Sequence, residues 1–556
     1  MIKLLIKYSF IVVALFLCNQ SFAQKKVKLK NADKLVGGID KQGNRFDRFV
    51  GHVIFEQNET TIYCDSAILY KKENIVKAFG HVKILEGDSV TITAKRLTYT
   101  GDEKKAELRE NVIFKKLNSV TLYTDFLDYD RQRQQAKYFN GGKLVDSTNV
   151  LTSKKGYYQV NTNMASFKKD VVGKNPDYTL VSDTLQYHTK TNIVYFRDHT
   201  ELTDVDGNVF VYEEGEYNTN IRKSDLAKGE VETESYILTG NKLLLDDIKK
   251  LYRAIGEVEM ISKTQDIIIT GDNSHYQRSK GIAKVFGNAL MKKIMDKDTL
   301  FLTADTLVAI ESKDPTKKRL LAYNNVKIYK SDLQGIADSL AYVSIDSILY
   351  FYNDPVLWTE GNQMSADSIN VVLVNNTIDR LNMSVNSFVV STDSIDNYNQ
   401  IKGRDMVAFF NSGKIKKVNV YGNGESLFFA LNDEQTTLIG MNKIFCSSMT
   451  INFKLNKADN VSFYVKPDAS FIPPHELKQP DTKLKGFHWR IGEKPVRDEI
   501  YALDFTRNRE EKDITPPVTS TSDKPAMIED DKVKPARNNN LKPIDKGKLK
   551  NRKEDY

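Results

Sequence analysis

The chain repeats a short pattern about every thirty residues, and this repeat limits the possible folds more than any other feature. Each unit has a small residue, an anchor position that is most often Asp, an apolar residue at +2 and often Tyr at +4. Examples are "TDFLDY" around Asp125, "SDTLQY" around Asp183 and "ADSLAY" around Asp338. A fixed period of this length is typical of architectures in which neighbouring units stack on one another.

Thirteen anchors can be placed along the chain, three of them (Lys154, Glu213 and Lys242) mainly from the period. Their spacing is 29 or 30 residues over the first eight anchors and varies between 29 and 42 afterwards. No linker or change in composition interrupts this series, so we expect one repetitive body and not several globular domains. The anchors are Asp65, Lys95, Asp125, Lys154, Asp183, Glu213, Lys242, Asp272, Asp305, Asp338, Asp367, Asp405 and Ser447.

Strand-like segments flank each anchor. Val90, Ile92 and Ala94 alternate with threonines before Lys95, and this period of two predicts a strand with one apolar face. After an anchor the apolar positions are +2 and +4, which is out of phase, and a one-residue shift inverts every side chain. We therefore expect a bulge or corner at the anchor, where an extra residue restores the phase and the carboxylate bonds nearby backbone amides. The predicted structural corners are Asp65, Asp125, Asp183, Asp272, Asp305, Asp338 and Asp367.

A second marker lies about fifteen residues before each anchor, as in "AFGHVKI", "RAIGEVEM", "KVFGNALM" and "LAYNNVKI". Gly and Asn accept a positive φ, so this marker predicts a tight turn between two strands. Two or three strands per unit without a long helical pattern predict an all-β fold. The expected architecture is an elongated, repetitive β jelly roll or solenoid of about thirteen 30-residue units.

Both ends of the chain differ from the repeats. Residues 1–23 combine Lys3 and Lys7 with an apolar run and a small-residue site ending at Ala23, which predicts a cleaved signal peptide and a periplasmic or secreted protein. A lipoprotein signal at Cys18 is the alternative, although Leu17 is bulkier than such a site normally tolerates. The repeats are expected over residues 24–465 and a C-terminal cap over 466–505, followed by a disordered basic tail over 506–556. This tail could contact phosphates or simply remain solvated.

No residue pattern indicates catalysis, so we expect no enzyme, cofactor or metal. The seven histidines are scattered, and His52 and His81, at the same repeat position, lack a third metal ligand in the same frame. Calcium binding is not favoured, because Lys95 can replace the repeated Asp. Cys64 and Cys446 occupy small-residue slots and are predicted to be core residues. The secretion signal argues against nucleic acid as a partner of the basic tail.

The recurring "A-x-x-G-x-V" followed by "T-A-D-x-L-x-Y" resembles the OstA-like family of periplasmic lipopolysaccharide-transport proteins, over about residues 40 to 460. The resemblance implies a β jelly roll whose two sheets enclose an apolar groove for lipid A acyl chains, while the sugar portion stays in water. It also implies lipopolysaccharide as a partner, and edge-strand pairing with inner-membrane and outer-membrane transport components. This chain is several times longer than the single-fold members.

A groove for acyl chains requires a long apolar lining, because each exposed methylene costs about 0.8 kcal/mol. The alternative for each inward residue is that it only packs against the opposite sheet. The main rival function is a structural or adhesive surface β-solenoid with a filled core and no lipid cargo. A third possibility is the periplasmic part of an outer-membrane translocon. The sequence does not favour it, because no block of amphipathic ten-residue strands follows the repeats. The lipid-groove candidates are Ile62, Val90, Ile92, Leu122, Ile267, Ile269, Leu300 and Leu302.

Overall fold

The computed structural model describes residues 26–506 except 296–297, 344, 376, 412–413 and 455–456. The predicted signal peptide, 1–23, and the predicted tail beyond residue 506 lie outside the described residues. The chain divides into two compact units at Phe505, and the fold below is that of the first unit. Strands make up 70% of the structure and helix 4%, which confirms the predicted all-β fold.

In the described part of the chain, thirty-four strands follow one another. The first twelve are β1 (Lys28–Asn31), β2 (Lys34–Ile39), β3 (Arg45–Gln57), β4 (Thr60–Tyr70), β5 (Ile75–Glu86), β6 (Val90–Thr100), β7 (Lys105–Lys116), β8 (Thr121–Asp130), β9 (Gln135–Asp146), β10 (Asn149–Gln159), β11 (Met164–Asn175) and β12 (Tyr178–His188). The next twelve are β13 (Ile193–Phe196), β14 (Thr200–Asp204), β15 (Val209–Asn218), β16 (Lys223–Glu232), β17 (Tyr236–Gly240), β18 (Lys242–Asp246), β19 (Leu251–Ser262), β20 (Ile267–Gln277), β21 (Ile282–Ile294), β22 (Thr299–Ile310), β23 (Arg319–Lys330) and β24 (Leu333–Val343). The last ten are β25 (Ile348–Tyr352), β26 (Val356–Thr359), β27 (Asn362–Ser365), β28 (Ser368–Val374), β29 (Thr377–Thr392), β30 (Tyr398–Asn411), β31 (Lys414–Leu431), β32 (Leu438–Lys454), β33 (Lys457–Tyr464) and β34 (Asp468–Ile472).

Among the residues that the structure describes, the helical segments are short. The α-helix α1 spans Arg497–Tyr501, and 3-10 turns span Arg278–Lys280, Pro315–Lys317, Pro474–Glu476, Gln479–Thr482 and Ile491–Glu493. Within the described part of the chain, none of the helices combines the length and the apolar character required for a membrane span.

The long strands form an antiparallel meander, in which each strand pairs with the strand before it and the strand after it. The connecting turns alternate between the two ends of the strands. We call the turns at 58–59, 87–89, 117–120 and their successors, with the adjoining strand residues, the first rim. The turns at 71–74, 101–104, 131–134 and their successors, with the adjoining strand residues, form the second rim.

Every long strand contributes to both sheets of the jelly roll, because its pattern of buried residues changes phase near the middle. In β4 the buried residues are Thr60, Ile62 and Cys64 before Asp65, but Ala67 and Leu69 after it. The buried side chains of both halves therefore point into the same core. This is what the two out-of-phase sets of apolar positions in the sequence require. In every long strand, the half that lies next to the first rim belongs to what we call the first sheet. The half that lies next to the second rim belongs to the second sheet.

The division of a strand into two halves is visible where a corner opens into a loop. There β13 and β14 replace one long strand, and they pair with the two halves of β12 on either side of Asp183. The same division produces β17 and β18, which pair with the two halves of β19. The corner is thus the border between the two sheets.

The glycine marker does not lie between strands, so the prediction of a tight turn there was wrong. Gly80 lies in the middle of β5, at the corner opposite Asp65, while the turn between β4 and β5 occupies residues 71–74. Each 30-residue unit therefore consists of one anchor strand and one glycine strand. The expected positive φ is present at Gly80, where it is 72°.

The segment after β34 runs back along the outer surface of the first sheet. We call residues 473–505 the strap. The Gln400 side chain donates to the Thr482 carbonyl at 2.9 Å, the Gln363 side chain donates to the His488 carbonyl at 2.6 Å, and Lys292 Nζ lies 3.0 Å from Asp504. The strap therefore lies across strands from β30 back to β21. Whether the predicted C-terminal cap, 466–505, also hides the last strand edge stays a prediction.

The strap covers apolar residues on the outer face of the sheet. One outer cluster joins Leu484 to Phe388, Val390, Leu427, Phe429 and Met441. Another joins Ile500 to Leu290 and Phe301. These strands are consequently buried on both faces, since residues of the intervening positions, such as Met291 and Leu302, belong to the main core.

Substitution of Asp504 by Ala should release the end of the strap. Lys292 and Asp504 have only 10% and 7% of their side chains exposed, and loss of one partner leaves a buried charge at a cost of about 3 kcal/mol. Limited proteolysis should then cut residues 490–505 faster. Glu499→Ala is the matched control, because its ion pair with Lys327 is exposed. Equal protease sensitivity of both variants would contradict the role of the buried pair.

Candidate functional site

The anchors lie where the strand register shifts. Asp65 falls between the pairs Tyr63↔Lys83 and Ser66↔Phe79, so two residues of β4 face three residues of β5. The extra residue lies in the glycine strand, opposite the anchor, and not at the Asp as the sequence suggested. Asp125, Asp183, Asp272, Asp305 and Asp338 lie at equivalent shifts. Asp367 lies in the break between β27 and β28.

Two consecutive residues with positive φ form the bulge opposite most anchors. Examples are the pairs Gly80-His81, Glu110-Asn111, Gly287-Asn288 and Asn324-Asn325. Gly and Asn are the residues that adopt this left-handed conformation at least cost, which explains the Gly-x and Asn-Asn markers of the sequence.

The anchor side chain binds the second residue of the bulge on the neighbouring strand. His81 Nδ1 lies 2.8 Å from Asp65 Oδ2, Asn288 Nδ2 donates to Asp272 at 2.9 Å, and Asn325 Nδ2 donates to Asp305 at 3.0 Å. A backbone amide is the donor at Asp125, which accepts from Asn111 N. His52 and His81 are thus corner residues that contact Asp33 and Asp65.

Two of the three lysine anchors, Lys154 and Lys242, form ion pairs with a carboxylate on a neighbouring strand. Lys242 Nζ lies 2.9 Å from Asp225, and Lys154 forms an ion pair with Asp170. Asp170 lies in a bulge that Lys169 and Asp170 form with positive φ. A lysine can therefore replace the repeated Asp at these positions because a carboxylate lies on the neighbouring strand. Among the described residues, no three His, Cys, Asp or Glu side chains form a metal site.

All eight lipid-groove candidates lie in the first sheet and are buried. Their side chains belong to one continuous core cluster that also contains Val27 near its beginning and Ile451 near its end. Ile92, Leu122 and Leu302 are fully buried, at 0% exposure. The structure thus brings the candidates into one row along the inside of the roll.

The second sheet contributes tyrosines that the candidate set omitted. Tyr99, Tyr129 and Tyr187, each at +4 from its anchor, are buried opposite the first sheet. Burial raises the pKa of all three hydroxyls above the usual value. The recurrence of Tyr at +4 was the sequence signal for this second lining.

These side chains fill the interior in the present state. A cavity bounded by Leu151, Leu180, Leu185 and Val194 has a volume of about 20 Å³, which is room for about one water molecule. Both buried cysteines, Cys64 and Cys446, pack into the same core, which confirms their predicted role as small core residues.

Backbone hydrogen bonds connect the turns along each rim. In the first rim Gly87 N donates to Glu59 O and Leu117 N to Ser89 O; in the second rim Arg131 N donates to Lys104 O. Among the described residues, no backbone-to-backbone hydrogen bond joins one rim to the other.

Side chains close the line along which the two rims meet, which we call the seam. Arg131 Nε donates to Glu86 Oε1 at 2.6 Å, and its Nη1 donates to the Gln57 carbonyl at 3.2 Å. Further along, Arg278 donates to Asp204 at 3.0 Å and the Tyr236 hydroxyl donates to Glu311 at 2.7 Å. The jelly roll is therefore held by continuous strands at its corners and by side-chain contacts at its seam.

Two family models match this chain. The model described as "OstA-like protein" matches residues 24–183 and 160–241, and the model described as "LptA/(LptD N-terminal domain) LPS transport protein" matches residues 268–377. The matched ranges together span more than half of the sequence. The chain belongs to the OstA-like family.

One solved structure matches part of this chain. The crystal structure of LptH from Pseudomonas aeruginosa, the LptA-homologous periplasmic component of its lipopolysaccharide transport device, shares 15% sequence identity at a TM-score of 0.19. The match covers 82% of LptH but 21% of this chain. None of the curated proteins matches the chain.

Gly80→Val should disrupt the corner opposite Asp65 and so lower the thermal stability of the protein. A Cβ at Gly80 would overlap the Asp65 carboxylate, and a β-branched residue is strained at a φ of 72°. We expect a loss of about 2 kcal/mol, measured by thermal unfolding. Gly173→Ala is the control, since its Cβ would meet Leu180 at an ordinary 3.5 Å and should cost less than about 1 kcal/mol. The corner assignment fails if the two variants are equally stable.

Arg131→Ala should loosen the seam. Arg131 and Glu86 are 10% and 12% exposed, so removal of the guanidinium leaves a largely buried carboxylate at a cost of about 2–4 kcal/mol. Amide hydrogen exchange should rise in the turns at 87–89 and 131–134. Arg133→Ala provides a control in the same turn, because Arg133 is 79% exposed and lies 3.9 Å from Asp130. Unchanged exchange in Arg131→Ala would show that the pair does not hold the rims together.

Proposed function

We propose that this protein is a non-enzymatic periplasmic bridge in lipopolysaccharide transport, which carries lipid A acyl chains between its two sheets toward the outer membrane. The observation that carries the proposal is the long row of inward apolar residues in one continuous core, from Ile62 to Leu302, in a chain of the OstA-like family. Such a row offers an acyl chain apolar contact from one unit to the next. Contact at every unit avoids the cost of about 0.8 kcal/mol for each methylene exposed on the way.

The seam provides the route by which acyl chains would enter. Parting of the rims breaks side-chain contacts such as Arg131–Glu86 and Arg278–Asp204, while the strand ladders at the corners stay intact. The rims would remain separate strips, because backbone hydrogen bonds run along each rim.

A filled interior is compatible with this role if lipid replaces contacts between the sheets. Without lipid, exposed lining would cost about 25 cal/mol per Å² of apolar surface, so the roll closes on itself. The buried tyrosines of the second sheet, including Tyr99 and Tyr129, would move away from Ile92 and Leu122 when lipid enters.

The ends of the stack would meet the partners. In the described structure β1 and β2 pair only with β3, and β33 and β34 pair only with β32, so each end presents strand edges. Such edges can accept a strand from another protein. By this proposal the first edge faces an inner-membrane transport component and the last edge an outer-membrane component.

One observation favours the rival function, a structural or adhesive solenoid. The interior holds no cavity wide enough for an acyl chain around Leu151 and Leu185. A solenoid that only spans distance would keep this packing permanently, whereas a lipid carrier must open.

Photo-crosslinking in cells distinguishes these two functions. A photoreactive residue at Ile92, which is buried in the lining, should capture lipopolysaccharide. The same residue at Thr93 is the matched control, because Thr93 points to the outside of the same strand. We expect adducts at position 92 to exceed those at position 93 at least tenfold.

If no lipopolysaccharide adduct forms at position 92 and none forms at position Leu302, the transport function is contradicted. Equal adducts at positions 92 and 93 would indicate contact with the outer surface and would also contradict a groove. Depletion of the protein from cells should in addition reduce the amount of lipopolysaccharide that reaches the outer membrane.

A further inference from the structure

The inward row of several strands ends in a polar or charged side chain at a rim. In the first rim these residues include Gln57, Glu86 and Lys116, and in the second rim Arg131 and Arg278. Such residues stand at the mouth of the roll, between the apolar interior and water. An amphiphile with its acyl chains inside would place its head group beside them.

Lys116 is the inward residue at the first-rim end of β7, after Val112 and Phe114. Its ammonium donates to the Val160 carbonyl and to Asn163 Oδ1, each at 2.6 Å, and lies 5.7 Å from the centre of the Tyr158 ring. An ammonium carries three N–H donors. One donor therefore remains for a further acceptor.

Hydroxyl groups lie around the same position. Ser119 Oγ is 3.4 Å from the Tyr158 hydroxyl and 3.1 Å from Thr189 Oγ1, while the Tyr158 hydroxyl is 3.2 Å from Thr189 Oγ1. The rims thus bring three hydroxyls and one ammonium together across the seam. Hydroxyl and ammonium donors are the groups that bind phosphate oxygens.

The charge of Lys116 is not neutralised, whereas three other cations at the rims have carboxylate partners. Arg131 pairs with Glu86, Arg278 with Asp204, and Lys330 with Asp332 at 2.7 Å. Within the described structure, Lys116 contacts only neutral oxygens. Burial, together with the positive charge of nearby Lys190, lowers the pKa of Lys116, so a bound anion would relieve an unfavourable environment.

We propose that Lys116, with the hydroxyls of Ser119, Tyr158 and Thr189, binds the phosphate group of an anionic amphiphile whose acyl chains lie between the sheets. This inference rests on the proposed transport function and adds the chemical group that is recognised. The apolar part of the ligand would contact Phe114, which is buried one inward position below Lys116. The phosphate would accept from the third ammonium donor at the mouth of the roll.

Binding of fluorescent lipid A to the purified full chain tests this site. The probe is used with its phosphates and after phosphatase treatment, and inorganic phosphate is added as a competitor. Lys116→Gln should weaken binding of the phosphorylated probe about tenfold or more and leave binding of the dephosphorylated probe unchanged. Lys115→Gln is the matched control, because Lys115 is exposed on the outer face of the same strand and should bind like the wild type.

Equal affinity of Lys116→Gln and the wild-type chain for the phosphorylated probe would overturn the site but not the transport function. Failure of the wild-type chain to bind either probe would overturn both. Displacement of the lipid by millimolar inorganic phosphate would support phosphate recognition. It would also show that the site accepts free phosphate as well as the phosphate of a lipid. Weaker binding of both probes to Lys116→Gln would show that Lys116 holds the seam and does not recognise phosphate.

Discussion

The contact between an anchor side chain and the bulge of the neighbouring strand is the interaction on which the rest of the structure depends. It allows one strand to serve two sheets, because the phase of its buried residues changes at the anchor while the neighbouring strand gains one residue. Without this change, half of the apolar residues of each strand would face water. The requirement is geometric and not specific to a carboxylate, since Lys154 with Asp170 meets it as Asp272 does with Asn288.

The corners and the seam differ in the kind of bonds that hold them, and this difference determines how the roll can deform. At a corner the chain itself is continuous and the strand ladders pass through. At the seam the rims are joined by side chains, so each contact can break separately. An opening confined to a few units therefore costs a few contacts, such as those of Arg131, while distant ones, such as that between Tyr236 and Glu311, are unaffected.

The sequence predicted the repeat, the all-β class and the inward row, because these follow from periodicity. It could not place the bulge on the correct strand: the phase change appears at Asp65, yet the compensating residue lies at Gly80-His81, fifteen residues later, and only strand pairing brings the two together. The seam was missed for the same reason. Arg131 and Glu86 are 45 residues apart, and neither residue belongs to the repeated pattern.

The strap was detectable in part from runs of consecutive apolar residues that do not alternate with polar ones. Leu300, Phe301 and Leu302 are all buried, and a strand with two apolar faces needs a cover on each. What forms that cover could not be read from the pattern, since the strap has no regular period. Its position bears on the proposed opening, because the strap joins strands from β21 to β30 across the outer face of the first sheet. In the proposed opening these contacts would restrain the first sheet, and in these units the second sheet would supply the movement.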